Sequence, residues 1–339
     1  MTILITGING ALGISTALKA RQLGHEVRGF GRNSFKRHIP RSIDYIEGDM
    51  LDKELLREAL KGIDVIMHFA SLTGFREGLS DYVRSNILGT TVLLDLIREE
   101  KLPIKKLIFA SSSSVYGEGT YECPFHGKVF PPIREIPQLE EERWNPLCPA
   151  CQADLNSLPT MEDKKLSNTH IYAITKQVAE KIIHEFAKVY DITAVSLRFP
   201  ILYGPNQYKG IVPLFSSKII RSEEVSLTED GRQIRDFIFI EDASDSVFFS
   251  LEHINKSGIF NISVSKPVSL LSLIEIIGKT VGVKPKKRIM GGYRVGDIRH
   301  IYLDNSRIIK LGYHPNMSIE DGILRYMDWK KKEKSYEKT

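Results

Sequence analysis

The sequence predicts an α/β protein with a doubly wound parallel sheet, a smaller C-terminal α+β lobe and an inserted segment that carries Cys and His. Three observations lead to this fold class. Over the first 115 or so residues, short apolar runs rich in β-branched residues alternate with amphipathic stretches, as βαβ units do. From 118 to 168 the alternation fails, and after residues 203–207 the patterns become mixed.

Each element follows from its local pattern. The strands are short apolar runs, and we place them at 3–6, 25–30, 43–48, 64–70, 106–112 and 193–199. The helices are amphipathic stretches, placed at 11–23, 53–61, 80–100, 169–189, 211–221 and 241–254. A pair of strands is predicted over 225–240.

Bulk properties exclude several classes of partner. The net charge is +5 at pH 7, but the last ten residues hold five Lys and two Glu, so the body is nearly neutral. We therefore predict no nucleic-acid or membrane partner and a solvated, frayed basic tail. The chain enters a strand pattern at once and has no run of about 18 apolar residues, so we expect a cytoplasmic protein. Its three cysteines are too few for a disulfide framework in a chain of this size.

A glycine-rich turn follows the first strand and precedes the first helix. In such a turn one glycine allows the tight bend, one lets a pyrophosphate approach the backbone, and one lets helix and strand pack closely. The helix N-terminus then holds the anion. The turn predicts dinucleotide binding by Gly7, Asn9, Gly10, Ala11, Leu12 and Gly13.

The end of the second strand favours NADP over NAD. An NAD site usually has an acidic residue there, whereas an Arg accommodates a 2′-phosphate. Here Gly31 is followed by Arg32, with Lys36 and Arg37 nearby and no carboxylate among them. The alternative is an ordinary surface Arg, which is common after a strand.

Later strand ends supply further candidates. Asp49 and Met50 follow the third strand, where we expect a side chain to contact the adenine of a bound dinucleotide. The next strand ends in HFAS, which would run beside the pyrophosphate and ribose, and Thr73 is a candidate contact to the substrate. The cofactor contacts predicted there are Phe69, Ala70 and Ser71. We interpret His68 as a hydrogen-bonded strand-end histidine, not a ligand.

A Tyr, a Lys and a Ser form the catalytic candidates. Tyr172 and Lys176 are four residues apart and share a helix face. A neighbouring cation would lower the phenol pKa from about 10 and make it a proton acceptor, and Lys176 could also bond the nicotinamide ribose. The serine run in FASSSSVYG lies at the end of a parallel strand, where a hydroxyl can relay a proton. The alternative for the Tyr-Lys pair is an exposed helix face.

These motifs together resemble the extended short-chain dehydrogenase/reductases, specifically their nucleotide-sugar epimerase and dehydratase branch. The resemblance runs nearly end to end. It is carried by GINGALG, HFAS, SNILGTTVLL, SSSSVYG, YAITK, LRFPILYGP, DGRQIRDFIFIED and RVGDIRH.

The resemblance implies roles by position. Ser112 corresponds to the catalytic Ser/Thr, Tyr172 to the base and Lys176 to its partner. Dehydratases of the family carry Asp-Glu directly after that Ser/Thr, whereas this chain has Ser113 and Ser114. The acid and base for eliminating water are therefore missing, and dehydration is disfavoured.

The resemblance also implies substrate contacts in the C-terminal lobe. Arg235, Arg294 and Asp297 match positions that grip a nucleoside diphosphate, and guanidinium groups suit phosphate oxygens. The alternative is a surface pair between Arg235 and Asp236. Ile201 stands where the family commonly has Asn, so the sugar pocket differs there.

The segment between Ser112 and Tyr172 predicts a metal site. It spans 59 residues, about twice what the family resemblance leads us to expect, and holds one CxxH pair and one CxxC pair. These spacings suit a closed tetrahedral structural Zn²⁺, with ligands Cys123, His126, Cys148 and Cys151. The alternative is three idle cysteines. YGEGTYECPFHG and NPLCPAC look like the insert of bacterial dTDP-L-rhamnose 4-epimerases.

We therefore predict an NAD(P)-dependent enzyme that inverts C4 of a nucleotide-linked hexose, specifically a dTDP-6-deoxy-L-hexose. One alternative is an NADP-dependent nucleotide-4-keto-6-deoxysugar reductase with the same triad, and another is a dinucleotide-sensing regulatory protein. The resemblance implies a homodimer through helices near 82–98 and 172–189. The predicted units are a dinucleotide-binding domain (1–200, with the zinc-binding segment at 118–168), a nucleotide-sugar-binding lobe (201–330) and a basic tail (331–339).

Overall fold

The structure, a computed structural model, describes residues 1–32, 39–40, 42–74, 78–167 and 170–336, with side chains up to residue 333. Lys36 and Arg37, named above as neighbours of Arg32, lie outside the described residues, as do the last three residues of the predicted tail.

Sixteen strands occur in the described part of the chain. They are β1 (Thr2–Thr6), β2 (Glu26–Gly31), β3 (Asp44–Glu47), β4 (Val65–His68), β5 (Lys106–Ser112), β6 (Thr120–Cys123), β7 (Gly127–Val129), β8 (Asn156–Leu158), β9 (Thr193–Phe199), β10 (Ile201–Tyr203), β11 (Glu224–Leu227), β12 (Ile234–Arg235), β13 (Phe237–Phe239), β14 (Gly258–Asn261), β15 (Val268–Ser269) and β16 (Lys286–Ile289).

The helices alternate with these strands. They are α1 (Ala11–Gln22), α2 (Lys53–Leu60), α3 (Leu79–Tyr82), α4 (Gly89–Glu99), α5 (Ile136–Glu140), α6 (Ile171–Val189), α7 (Ile211–Ile220), α8 (Ile240–His253), α9 (Leu270–Val281), α10 (Ser306–Ile309) and α11 (Ile319–Tyr336). A π-helical segment, Val83–Leu88, joins α3 to α4, and a 3₁₀ turn, Ser113–Tyr116, follows β5.

Seven parallel strands form the central sheet, in the order β14-β9-β5-β4-β1-β2-β3. The chain winds outward from β1 to β3 and then crosses back to β4. The switch point therefore lies between β1 and β4, where the carboxyl ends of the strands leave a crevice. This architecture confirms the predicted fold class.

Helices cover both faces of the sheet, so its strands are buried on both sides. On one face α1 and α8 pack together, with Ala17 and Val247 beside Ile5 of β1. On the other face α2, α4 and α6 pack against the strands through Leu56, Leu93 and Ile183. Both α8 and β14 come after residue 200, so the chain returns to the sheet after it has begun the C-terminal lobe.

The C-terminal lobe is built from three two-stranded sheets and the helices α7, α9 and α11 around a separate apolar core. The prediction that two strands pair with each other within 225–240 is wrong. Strands do form there, but β11 pairs with β16, β12 with β15 and β13 with β10. The connection between β11 and β12 is held by ion pairs instead: Glu229 and Asp230 both bind the buried guanidinium of Arg299. Those bonds favour a loop over a hairpin.

The insert and the C-terminus complete the described chain. The insert forms an antiparallel three-stranded sheet in the order β7-β6-β8. Helix α11 continues to Tyr336, so most of the tail that was expected to fray is helical. None of the helices in the described ranges is both long and apolar enough to span a bilayer.

Candidate active site

A cavity of about 440 Å³ opens at the switch point of the central sheet. It brings together residues from the first βα turn, the ends of β2 to β5, and the first turns of α6. Every residue predicted to bind the cofactor lines it: Gly7, Asn9, Gly10, Ala11, Leu12, Gly13, Arg32, Asp49, Met50, Phe69, Ala70, Ser71, Tyr172 and Lys176. Thr73 and Ser112 line it too.

The glycine-rich turn has the shape of a phosphate cradle. Gly7 has a φ of +70°, and a Cβ there would lie 2.5 Å from the backbone nitrogen of Ala70. A Cβ on Gly13 would lie 2.6 Å from the carbonyl oxygen of Gly7, whereas one on Gly10 would meet nothing closer than 3.4 Å. Gly10 also precedes the first residue of α1 and has no side chain to cap the helix. The unpaired N–H groups at the start of α1 are therefore available to bind an anion in the cavity.

The adenosine end of the cavity contains both a cation and a carboxylate. Arg32 is 61% exposed, and its Nη1 lies 4.0 Å from Oδ2 of Asp49. The sequence placed no acidic residue directly after β2, but the sheet brings one in from the end of β3. This neighbouring negative charge weakens the attraction of Arg32 for a 2′-phosphate.

The HFAS segment is fixed by buried polar contacts. The two ring nitrogens of His68 lie 2.7 Å from Oγ1 of Thr6 and 3.0 Å from Oγ1 of Thr90. Burial lowers the pKa of His68 to about 3, so the ring is neutral. The interpretation of His68 as a hydrogen-bonded structural residue is confirmed. One turn before Thr90, Asn86 accepts from the N–H of Leu72 (2.6 Å) and donates to its carbonyl (3.1 Å).

Ser112, Tyr172 and Lys176 meet at the floor of the cavity. Ser112 ends β5, and α6 begins at Ile171, so its first two turns carry the other two side chains. The side chain of Ser112 lowers the pKa of Tyr172 as a hydrogen-bond partner does. Lys176 donates to the carbonyl oxygen of Ala110 at 2.7 Å.

The protonation of Tyr172 differs from the expectation drawn from the sequence. Burial raises its pKa to about 12, although the hydrogen bond from Ser112 opposes the rise. Burial lowers the pKa of Lys176 to about 7, with Glu180 opposing that shift. An amine with its pKa near neutrality carries only part of a positive charge and stabilises a phenolate less than an ordinary lysine does, so the spacing of the pair alone does not make Tyr172 a base.

A second cavity, of about 900 Å³, adjoins the first, and Thr73 lines both. It contains the three predicted nucleotide contacts, Arg235, Arg294 and Asp297. The Nη groups of Arg235 donate to the carbonyl oxygens of Ile234, Ile298 and Arg299 at 2.7 to 3.0 Å. Arg235 also lies 3.7 Å from Oδ1 of Asp297. Most N–H donors of the Arg235 guanidinium are therefore used to hold the backbone at residues 298 and 299.

The alternative of a surface pair between Arg235 and Asp236 is wrong. Asp236 is buried, accepts from the hydroxyl of Ser263 at 2.5 Å and from the N–H of Leu303 at 3.0 Å. Its burial raises its pKa to about 7. Successive residues of a strand point to opposite faces, which is why Arg235 and Asp236 do not meet.

The predicted metal ligands come together in the insert. The ligand atoms of Cys123, His126, Cys148 and Cys151 all lie within 4.8 Å of one another. Cys123 lies at the end of β6 and the other three ligands lie in loops of the insert, whereas the triad joins the end of β5 to the first turns of α6.

Sequence reasoning missed several residues that line the first cavity. Ser111 has a buried hydroxyl with no hydrogen-bond partner in the described chain, and Gln207 and the start of α7 also reach the cavity. Ser111 belongs to the serine run, where the pattern did not distinguish one hydroxyl from another. Gln207 follows the YGP motif, and no local pattern singled it out.

A family model described as "NAD dependent epimerase/dehydratase family" matches residues 3–135 and 150–263. A dTDP-L-rhamnose 4-epimerase of Burkholderia thailandensis is 30% identical over 277 residues, which cover 78% of this chain and 74% of the relative. A putative UDP-glucose 4-epimerase of Methanocaldococcus jannaschii is 27% identical over 340 residues and covers 97% of this chain and 98% of its own length.

Solved structures show the same fold. A UDP-glucose 4-epimerase of Thermotoga maritima with UDP-glucose has a TM-score of 0.81 and 24% identity, over 98% of this chain and 99% of the other. A UDP-glucuronic acid 4-epimerase of Bacillus cereus in complex with UDP-glucuronic acid and NAD has a TM-score of 0.80 at 24% identity, with the same coverage.

Proposed function

The chain belongs to the NAD dependent epimerase/dehydratase family, and on that basis we propose that it inverts C4 of a nucleotide-linked hexose through a bound 4-keto sugar. The sequence resemblance to this family is thus confirmed. The observation that carries the proposal is the pair of adjoining cavities. One contains the glycine-rich turn and the Ser112-Tyr172-Lys176 triad, the other contains Arg294 and Asp297, and both share Thr73. A sugar at their junction would have its nucleotide anchored away from the reacting carbon.

The triad handles the proton of the C4 hydroxyl. When bound, the oxidised nicotinamide would supply the acceptor for the C4 hydride and a positive charge beside the phenol. Such a charge favours the phenolate of Tyr172, which then takes the hydroxyl proton directly or through Ser112. In the return step the phenol, with its high intrinsic pKa, donates that proton back after the sugar has turned over.

The residues after Ser112 favour epimerisation over dehydration. The hydroxyl of Ser114 donates to Oγ of Ser112 at 2.9 Å, and it offers neither a carboxylic acid nor a base. The reductase alternative is not favoured by the relatives, which are named as 4-epimerases. Cofactor turnover separates the two reactions: an epimerase makes product without net consumption of NAD(P)H, whereas a reductase consumes one cofactor for each product formed.

Ile201 supports a 6-deoxyhexose as substrate. It lines the first cavity together with Pro200 and Leu202, so that wall is apolar. A methyl group at C6 suits a hydrocarbon wall better than a carboxylate or a hydroxymethyl group does, because it has no polar atom to desolvate. This observation and the dTDP-L-rhamnose 4-epimerase relative lead us to a dTDP-6-deoxy-L-hexose.

A substrate panel with an Ile201→Asn variant tests that assignment. We expect the native enzyme to have a higher kcat/KM for the dTDP-6-deoxy-L-hexose than for UDP-glucose or UDP-glucuronate. In the variant, the ratio of kcat/KM for the dTDP-6-deoxy-L-hexose to kcat/KM for either UDP-sugar should be about tenfold smaller, as expected for one misplaced polar group in an apolar pocket. A native enzyme that prefers UDP-glucuronate would refute the assignment.

For the cofactor we propose NAD. Solved relatives hold NAD, and the preference for NADP predicted from Arg32 finds no support in them. The carboxylate of Asp49 beside Arg32 also disfavours a 2′-phosphate. Dissociation constants for NAD and NADP, measured with native protein and with Asp49→Asn, test this. The variant should gain affinity for NADP alone, and an equal change for both cofactors would contradict the role of Asp49.

A homodimer is the proposed assembly. Helices α4 and α6 pack side by side, and around them Val83, Leu88 and Ile174 are exposed. Apolar side chains grouped on adjoining helices indicate a covered surface. Light scattering should give the mass of two chains for the native protein and of one chain for Ile174→Glu. A monomeric native protein would contradict the proposal.

A further inference from the structure

Three of the six distances among the four donor atoms of the insert match the edges of a metal tetrahedron, and all four atoms lie within 4.8 Å of one another. Sγ of Cys123 lies 3.7 Å from Sγ of Cys151 and 3.5 Å from Nδ1 of His126, and Nδ1 of His126 lies 3.6 Å from Sγ of Cys148. With Zn–S and Zn–N bonds of about 2.3 and 2.0–2.1 Å, tetrahedral edges are roughly 3.75 Å between sulfurs and roughly 3.55 Å between sulfur and nitrogen. A disulfide would need about 2.05 Å.

The backbone around each pair is bent to present these donors. The residues that follow the second ligand of each pair, Gly127 and Gln152, both have left-handed φ values, +66° and +59°. Gln152 is not a glycine, so its conformation is maintained at a cost that the surrounding contacts must offset.

We propose that this cluster binds a structural Zn²⁺, and that the metal fixes the rim of the nucleotide cavity. Cys123 and Cys148 are fully buried, and a buried thiolate without a cation is unfavourable. Binding three thiolates and a neutral imidazole releases the thiol protons to solvent and fills all four positions of the metal. The ion therefore has no open site for catalysis.

The first link from the metal to the rim runs through Tyr121 and Glu118. Tyr121 lies on the same strand as Cys123 and packs with Cys148. Its hydroxyl donates to the buried carboxylate of Glu118. That carboxylate also accepts from the backbone N–H groups of Arg299 and His300 at 2.9 to 3.1 Å. Glu118 thus holds the segment that directly follows Asp297.

The second link runs through the chain that leads to Cys148. Asn145 accepts from Nε of Arg299 at 3.1 Å. Arg134, which is buried, donates to the carbonyl oxygens of Trp144 (2.8 Å) and Asp297 (2.9 Å). If the metal fixes Cys148, residues 144 and 145 are fixed with it. The insert then holds Asp297 from one side while Arg235 holds it from the other.

Metal content tests the site itself, without reference to activity. Native protein from zinc-supplemented cells should contain one Zn²⁺ per chain by mass spectrometry of the metal. Protein reloaded with Co²⁺ should show the visible bands of a tetrahedral thiolate complex. His126→Gln, at an exposed ligand, should lower zinc affinity by at least about tenfold, whereas His314→Gln, at an exposed histidine outside the cluster, should not. Metal-free native protein without cobalt–thiolate bands would overturn the site.

Nucleotide affinity tests the link to the rim, and this part rests on the proposed function of Arg294 and Asp297. Titration calorimetry with dTDP and with NAD is done on zinc-loaded and chelator-treated protein. We expect removal of the metal to raise the Kd for dTDP by about tenfold while that for NAD changes less than about twofold. Unchanged dTDP affinity, or an equal loss of both affinities, would contradict the link. If zinc-loaded protein binds NAD but no nucleotide at all, the proposed substrate class is wrong and the metal site stands.

Discussion

Replacing Tyr172 with Phe separates the chemistry of the site from its fold. The ring keeps its packing, and only the hydroxyl that bonds to Ser112 is lost. A positioned general acid–base group contributes about 10²–10⁴ to the rate, which corresponds to about 3–5 kcal/mol in the barrier. We therefore expect kcat to fall by a factor in that range.

The same change should hardly affect stability. A neutral hydrogen bond contributes about 1 kcal/mol net, and Ser112 keeps the bond that it accepts from Ser114 at 2.9 Å. Urea unfolding of Tyr172→Phe should give a free energy of unfolding within about 1 kcal/mol of the native value. Calorimetry should give an unchanged Kd for the nucleotide, because Asp297 is not altered, and a Kd for NAD raised by no more than about fivefold, which corresponds to the loss of one neutral hydrogen bond of about 1 kcal/mol.

Tyr116→Phe is the matched control, since Tyr116 is a buried tyrosine that does not line the cavity. Its hydroxyl donates to Asn261 (2.7 Å) and accepts from Arg198 (2.8 Å). A hydrogen bond to a charged group contributes about 1.5–3 kcal/mol, so this variant should lose stability and keep kcat within about twofold. A Tyr172→Phe enzyme with more than about a tenth of native kcat would refute the assignment of Tyr172 as the proton carrier.

Three further predictions concern the cradle, the buried ion pair and the pH dependence of stability. Gly10→Ala should fold normally and raise the Kd for NAD by at least about tenfold, since its methyl group would occupy the space of the phosphate. Gly7→Ala should instead be strongly destabilised, because its Cβ would overlap the backbone of Ala70. Equal stability of the two variants would argue against this geometry. Glu180→Gln should lower the free energy of unfolding in urea by about 3–5 kcal/mol, because it leaves Arg198 without its carboxylate partner at a site where both side chains are about 96% buried. A decrease of less than about 1 kcal/mol would show that the ion pair is dispensable. Burial lowers the pKa of Lys176 to about 7, so between about pH 7 and 10 the unfolded chain binds one more proton than the folded chain. The free energy of unfolding should therefore rise with pH by up to about 1.4 kcal/mol per pH unit. Lys176→Met should remove that rise, and identical pH slopes for the native protein and the variant would contradict the lowered pKa.

Local patterns predicted the sheet and the glycine-rich turn well. Strand and helix signals are short-range, and the glycine-rich turn uses backbone freedom that only certain residues have. Residues such as Gly7 and Gly13 could therefore be assigned from sequence, and the structure shows the close backbone approaches that require them.

Pairing and protonation could not be predicted from local patterns. The Asp-Gly step before β12 does not form a hairpin, because Arg299, some seventy residues later, binds Glu229 and Asp230. The pKa of Tyr172 depends on how deeply the phenol is buried, which spacing to Lys176 does not reveal. Likewise, the carboxylate of Asp49 reaches Arg32 only because β3 lies beside β2.

The central claim is inversion at C4 by a bound cofactor, and proton NMR of the sugar ring tests it most directly. The purified enzyme is incubated with dTDP-, UDP- and GDP-hexoses without added reductant. We predict that the C4 epimer of a dTDP-6-deoxy-L-hexose accumulates to equilibrium in many turnovers per enzyme, and that Tyr172→Phe slows its formation by a factor of about 10²–10⁴. Product limited to one equivalent of added NADPH, or no C4 inversion of any nucleotide sugar, would contradict the claim.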